Sequence, residues 1–246
     1  MTNRIELSGF QYPHEINGII EGYGNILVVI PSNHDRCNAV AEMTYLNHFG
    51  YTNSIPRTIC NCGVEYALKY FYEKEFPADQ PEMYWFKCMS PALVLGLLFG
   101  SDEQLKKLCD WTNLGLIGEY CGGLEYQVPQ IYLLMCNHLR TVPQSTDALE
   151  SELSKCRNRR PKLLYQAWVA AIRGSQAEYD KAMRESLKHF NSRKKPDLEA
   201  TYAGEWIARS QTVVNLIAMR EGKAFPDVPE ELGCLLVTND SVTISD

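Results

Sequence analysis

The stretch GLLFGSDEQLKKLCDW, residues 96–111, decides how this chain is read. With Leu93, Val94 and Leu95 ahead of it, the run through Leu97, Leu98 and Phe99 is apolar almost all round. A helix of that kind is buried on most sides. Gly100 then offers a left-handed C-terminal cap. Ser101 followed by Gln104 is a capping box, so a second helix starts at once. Its apolar positions, Leu105, Leu108 and Cys109, fall at i, i+3 and i+4 and make one face. Asp102 and Glu103 sit in its first turn, where acids complement the helix dipole.

The same sentence is written again at 169–183, VAAIRGSQAEYDKAM. Leu163, Leu164, Ala167, Trp168, Val169, Ala170, Ala171 and Ile172 predict the buried helix, and Gly174 ends it. Ser175 with Glu178 is a second capping box. Tyr179, Ala182, Met183, Leu187 and Phe190 form the single stripe of the helix that follows. A looser third copy lies between the two. There VPQIYLLMCNHLR precedes STDALESELSKC, with Leu149, Leu153 and Cys156 as the stripe. Each copy is an αα-hairpin whose short turn makes its helices antiparallel neighbours. Each leaves an apolar face that must be covered by the next. The spacing of the copies is not constant, so the expected architecture is all-α: an irregular array of antiparallel hairpins, not a strict repeat.

Further helices are expected at 35–49, at 57–76 with Pro56 just outside its start, at 197–221 and, as a short one, at 228–237. Leu198, Tyr202, Trp206, Val213 and Ile217 give the third of these its stripe, and Gly222 stops it. Pro77 and Pro81 break the chain between helices. NILVVIP at 25–31 is the one strand-like run, near the N-terminus. Without a linker or a low-complexity stretch, residues 1–246 read as one all-helical domain.

Bulk properties bound the function. The chain is 45% apolar and 22% charged, ordinary for a folded protein, and carries a net charge of −6. An acidic surface disfavours nucleic acid and favours a basic partner. The start, MTNRIELSGFQYPHE, has no apolar signal region, and ALVLGLLFG at 92–100 is far short of the ~20 residues a membrane span needs. A cytoplasmic protein is therefore expected. An odd count of nine cysteines points to free thiols, most of them set within apolar helical patterns.

No motif names a reaction. Cys60 and Cys62 stand two apart, whereas zinc sites use C-x₂-C and need a second pair, so packing is the simpler reading. His34 and Cys37 have the types of a base and a nucleophile, but no orienting third group is legible beside them. Asn33 and Asp35 read as cap residues. His48, His138 and His189 fall near helix ends, where the dipole favours a cation. The basic runs KCRNRRPK (155–162) and SRKKPD (192–197) are expected at the junctions of helices, satisfying the negative end of a dipole. Neither a cofactor nor a metal is expected. TNLGLIGEYCGGLEYQVP at 112–129 interrupts the helical pattern with four glycines. It reads either as a wide turn between hairpins or as a partner-binding loop, in which Tyr120 and Tyr126 anchor and Glu119 and Glu125 flank.

Three segments together carry a resemblance. SPALVLGLLFGSDEQLKKLCDW resembles the early hairpin of the bacterial immunity protein 49 family. KLLYQAWVAAIRGSQAEYDKAMRESLKHF is similar to that family's later hairpin. NLIAMREGKAFPDVPEELGCLLV is similar to its C-terminus. The likeness spans roughly 57–237, leaves residues 1–55 unmatched, and departs from the family at Asp227 and Val228 before Pro229. It implies a cytoplasmic binder, not an enzyme, that neutralises a cognate polymorphic toxin by occluding its active site. The acidic charge fits a basic toxin. A helical-repeat adaptor that holds a peptide or protein in a groove is the alternative on the same hairpins. An enzyme using Cys37 with His34, or acids of the 112–129 loop, is the third reading.

Overall fold

A computed structural model of the chain describes residues 32–73, 81–110, 127–140, 147–192 and 206–246. Among these the fold is all-α. In chain order the helices are α1 Asn33–His48, α2 Arg57–Tyr72, α3 Pro81–Phe99, α4 Asp102–Asp110, α5 Gln127–Leu139, α6 Asp147–Ser154, α7 Arg159–Arg173, α8 Gln176–Asn191, α9 Arg209–Arg220 and the single turn α10 Glu230–Gly233. Two short strands, β1 Ile55–Pro56 and β2 Ile244–Ser245, pair in parallel, Ile55 opposite Ile244. The strand-like run at 25–31 lies outside the described residues.

The repeated sentence folds as its capping chemistry dictates. In the first copy the Ser101 N–H donates to Gln104 Oε1 at 3.0 Å, and the Gln104 N–H donates to Ser101 Oγ at 3.2 Å. In the second, the Ser175 N–H donates to Glu178 Oε2 at 2.7 Å and the Glu178 N–H to Ser175 Oγ at 3.3 Å. The reciprocal pair satisfies two N–H groups that a helix start otherwise leaves bare. Gly174 ends its helix as expected, but Gly100 differs from expectation, and neither glycine is left-handed. Gly174 is extended at φ −83°, and among the described residues the positive-φ glycines are Gly50 and Gly222. Close approach is what requires Gly100 and Gly174. A Cβ on either would stand 2.7 or 2.8 Å from the carbonyl oxygen of Gly96 or Ala170, four residues back.

Burial separates the two copies. In α3 the run Cys88–Leu97 is buried almost without a break, whereas α7 exposes Lys162 and Gln166 and half-exposes Val169 and Ala170. The second hairpin is therefore one-sided in both helices. Its partner α8 buries Tyr179, Met183, Ser186 and Leu187 against it. The array also closes on itself. Helix α9 packs on α3, α7 and α8, so the end of the chain returns to the first hairpin. Eight consecutive residues, Gln211–Ala218, are buried as a result. One apolar cluster runs from Cys37 to Val242.

Three helices differ from the sequence reading, the first being that expected over 57–76, which ends at Tyr72. The helix expected over 197–221 begins at Arg209 among the described residues. The Ala208 N–H is taken by the Leu235 carbonyl at 3.0 Å, so Ala208 is the N-cap and Trp206–Ile207 lie ahead of the helix. Gly222 does stop α9, at φ +87°, with the Lys223 N–H reaching back to the Ala218 carbonyl at 2.9 Å. The helix expected over 228–237 is one turn long. Beyond Gly233, Leu235, Leu236 and Val237 are buried, and the Val237 N–H donates to Thr212 Oγ1. Docking on α9 outweighs one more helical turn. No helix among the described residues is long and apolar enough to cross a membrane.

Candidate functional site

Glu119, Tyr120, Glu125 and Tyr126, the partner-binding candidates, lie outside the described residues. What the structure describes is the frame from which their segment leaves and to which it returns. Helix α4 ends at Asp110 and α5 begins at Gln127. An acid at a helix C-terminus faces the negative end of the dipole and needs a cation. Arg140, one residue past α5 and only 6% exposed, supplies it: Nε donates to Asp110 Oδ1 at 2.7 Å. The same cation sits favourably at the C-terminus of α5. Gln127, at the other root, is buried and accepts from the Cys156 thiol at 2.8 Å. Both roots of 111–126 are thus fixed by side chains of neighbouring elements.

Tyr72 completes this edge. It is the last residue of α2, and its ring is 45% exposed. Its hydroxyl donates at 2.9 Å to the carbonyl of Lys107 in the last turn of α4. Partial burial, and then the Asp110 carboxylate nearby, push the phenol above its ordinary range. It therefore remains a neutral donor at physiological pH. Tyr72, exposed and pinned at its tip, is a side-chain type that anchors protein interfaces, and the Arg140–Asp110 pair fixes the edge behind it. Sequence reasoning missed all three. Tyr72 falls inside the helix expected at 57–76 with nothing to single it out, and the Asp110–Arg140 pair spans 30 positions.

The other candidates are not brought together as chemistry. Cys37 is fully buried, and its hydrogen-bond partner is the Cys88 thiol on α3. Burial, then that hydrogen bond, push the Cys88 thiol well above its ordinary range. His34 makes its contacts with other residues. Its Nδ1 lies 3.1 Å from Asp35 Oδ1, Asn38 Nδ2 approaches Nε2 at 3.0 Å, and its ring packs 5.3 Å from Tyr70. Cys109 and Cys136 make a second buried thiol pair, and the hydrogen bond with Cys109, then burial, push the Cys136 thiol well above its ordinary range. Cys60 is buried in α2 and pushed up to about 11, mainly by desolvation, while Cys62 is part-exposed. No group of three or more metal-binding side chains occurs among the described residues.

The three histidines do end helices, as expected, yet two also make long-range bonds. His48 is buried, with Nδ1 2.8 Å from Ser241 Oγ and Nε2 2.8 Å from the Cys234 carbonyl. His138 pairs with Glu221 at 2.9 Å and meets the Trp168 ring edge-on. The run 155–162 corrects an expectation. Lys155 and Arg157 follow the end of α6, but Arg159 and Arg160 occupy the first turn of α7, the positive end of its dipole. Residues 193–197 of the second basic run lie outside the described residues.

The chain matches no family model, no curated protein and no solved structure.

Proposed function

We propose that this chain is a protein-binding module that neutralises a cognate toxin by covering its active site. The observation that carries the reading is the Tyr72–Asp110–Arg140 edge at the roots of 111–126. It sets an exposed aromatic beside α4, whose last residue, Asp110, is held by a buried arginine; Glu119, Tyr120, Glu125 and Tyr126 fall in sequence between Asp110 and Gln127. Interface energy concentrates in a few residues, tyrosine prominent among them, and Tyr72 is exposed on this edge. Protection inside a cell demands tight binding. A nanomolar complex corresponds to about −12 kcal/mol, on an interface of roughly 1,600 Å². A net charge of −6 speeds the encounter with a basic partner.

The test is co-expression with a basic toxin encoded beside this chain, followed by size-exclusion of the purified pair. Rescue of growth and a stoichiometric complex are expected. Tyr72→Ala is expected to weaken the complex by about 2 kcal/mol, the size of an interface hot spot. No rescue and no complex would overturn the proposal, and a complex indifferent to Tyr72→Ala would move the interface elsewhere.

A further inference from the structure

The turn between α6 and α7 has the opposite sign to the rest of the molecule. Lys155, Arg157, Arg159, Arg160 and Lys162 are all exposed, and none is in an ion pair. With −6 overall and these five cations in one turn, the remainder of the chain carries −11. The placement works against stability twice. The cations repel one another, and Arg159 and Arg160 face the positive end of the α7 dipole, whose first turn holds no acid. The acid nearest in sequence, Glu152, is exposed, and Glu150 is held by Arg173 in a two-bond fork at 2.8 Å. The turn is nonetheless held in place. Cys156 and Pro161 are buried beneath it, the Cys156 thiol donates to Gln127, and Asn158 caps α7 through the Arg160 N–H.

We propose that the turn Lys155–Lys162 is a docking site for an acidic segment of a partner protein. Two observations favour that occupant over a phosphate group or a nucleic acid. First, three successive positions at the start of α7, residues 160–162, offer a phosphate no free backbone N–H. The Arg160 N–H is used by Asn158 Oδ1, the Lys162 N–H by the Asn158 carbonyl, and Pro161 has none. Recognition rests on long, separate side chains, which suit carboxylates spread along a polypeptide. Second, a charge of −11 around a five-cation turn repels a long polyanion beyond that turn, whereas a short acidic stripe meets only the turn. This site has the opposite sign to the toxin-facing reading, so either can fail without the other.

The experiment is a fluorescence-anisotropy titration of the full chain at low salt. The probe is a fluorescein-labelled oligoglutamate, with oligoglutamine and an oligodeoxythymidylate of equal length in parallel. The charge-reversed variant R159E/R160E is compared with K106E/K181E, which changes the net charge equally at exposed lysines elsewhere. Binding to oligoglutamate is expected to fall about tenfold or more in R159E/R160E and by no more than about twofold in the control, with a steep salt dependence. R159E/R160E should melt no lower than the parent, because glutamates suit a helix N-terminus. If it fails to fold, Lys155→Ala with Arg157→Ala, outside the helix, must produce the loss. No binding by the parent chain, an equal loss in the control, or tighter binding of the oligonucleotide would overturn the proposal.

Discussion

The Tyr179 hydroxyl donates to Asn215 Oδ1 at 2.9 Å, with both residues fully buried between α8 and α9. This bond is where the second hairpin locks onto the helix that closes the array. Desolvation pushes the phenol far above its ordinary range, so it is a permanent donor. Tyr179→Phe leaves the Asn215 oxygen unpaired in the core. The expected loss is about 1–3 kcal/mol, read from the midpoint of chemical denaturation with an unchanged slope.

Asn47 ties three backbone segments together. Its oxygen accepts the Thr243 N–H at 2.7 Å, and its amide donates to the Thr52 carbonyl and hydroxyl at 3.0 and 2.8 Å. His48, next to it, holds Ser241 and the Cys234 carbonyl. Asn47→Ala is expected to cost about 1–3 kcal/mol. Hydrogen exchange should show the loss first at residues 241–246, ahead of α3 and α9. Uniform acceleration along the chain would contradict that order.

Gly63 is the contact point of α2 with α1 and α3. A Cβ there would meet Val40 Cγ1 at 2.7 Å and Leu95 Cδ1 at 2.9 Å, atoms of two fully buried side chains. Gly63→Ala trades better helix propensity for overpacking. The net expectation is destabilisation of about 1–3 kcal/mol by thermal melting. A rise in stability would mean that the three helices separate freely.

Thiol reactivity should rank by burial. Cys62 is part-exposed, whereas Cys60, Cys88 and Cys136 are buried with raised thiols. Only thiolate reacts, so iodoacetamide at mildly alkaline pH should label Cys62 well before these three. Peptide mass spectrometry of native and urea-unfolded protein checks the order. Early labelling of Cys88 would show that α1 and α3 open readily.

The capping box of α8 predicts a pH dependence. The backbone N–H and hydroxyl of Ser175 hold the Glu178 carboxyl below the usual carboxylate range. A depressed folded pKa contributes stability that is complete above the unfolded value of about 4.3 and lost as pH falls through the lower folded value. Glu178→Gln should therefore be less stable than the parent at neutral pH, and the gap should close in acid. A gap that widened in acid would reverse the sign of this assignment.

How much was legible follows from the range of each interaction. Both capping boxes, the α4 and α8 stripes and the stop at Gly222 were readable, because each is made by residues within four or five positions. The α9 start was not, because it is set by Leu235 binding the Ala208 N–H. The Tyr72 edge was equally hidden, since a helix range does not say which aromatic residue stays exposed or which carbonyl 35 positions away it meets.

By itself, the sequence determined the helices and the hairpins, because capping, periodicity and close-approach glycines act locally along the chain. Only the tertiary structure decided that α9 returns to α3, that Arg140 finds Asp110, and that the chain end pairs with Ile55. Those choices depend on which apolar faces and which buried polar groups satisfy one another across long separations. No local pattern encodes that complementarity. It is fixed when the faces pack and every buried donor must find an acceptor.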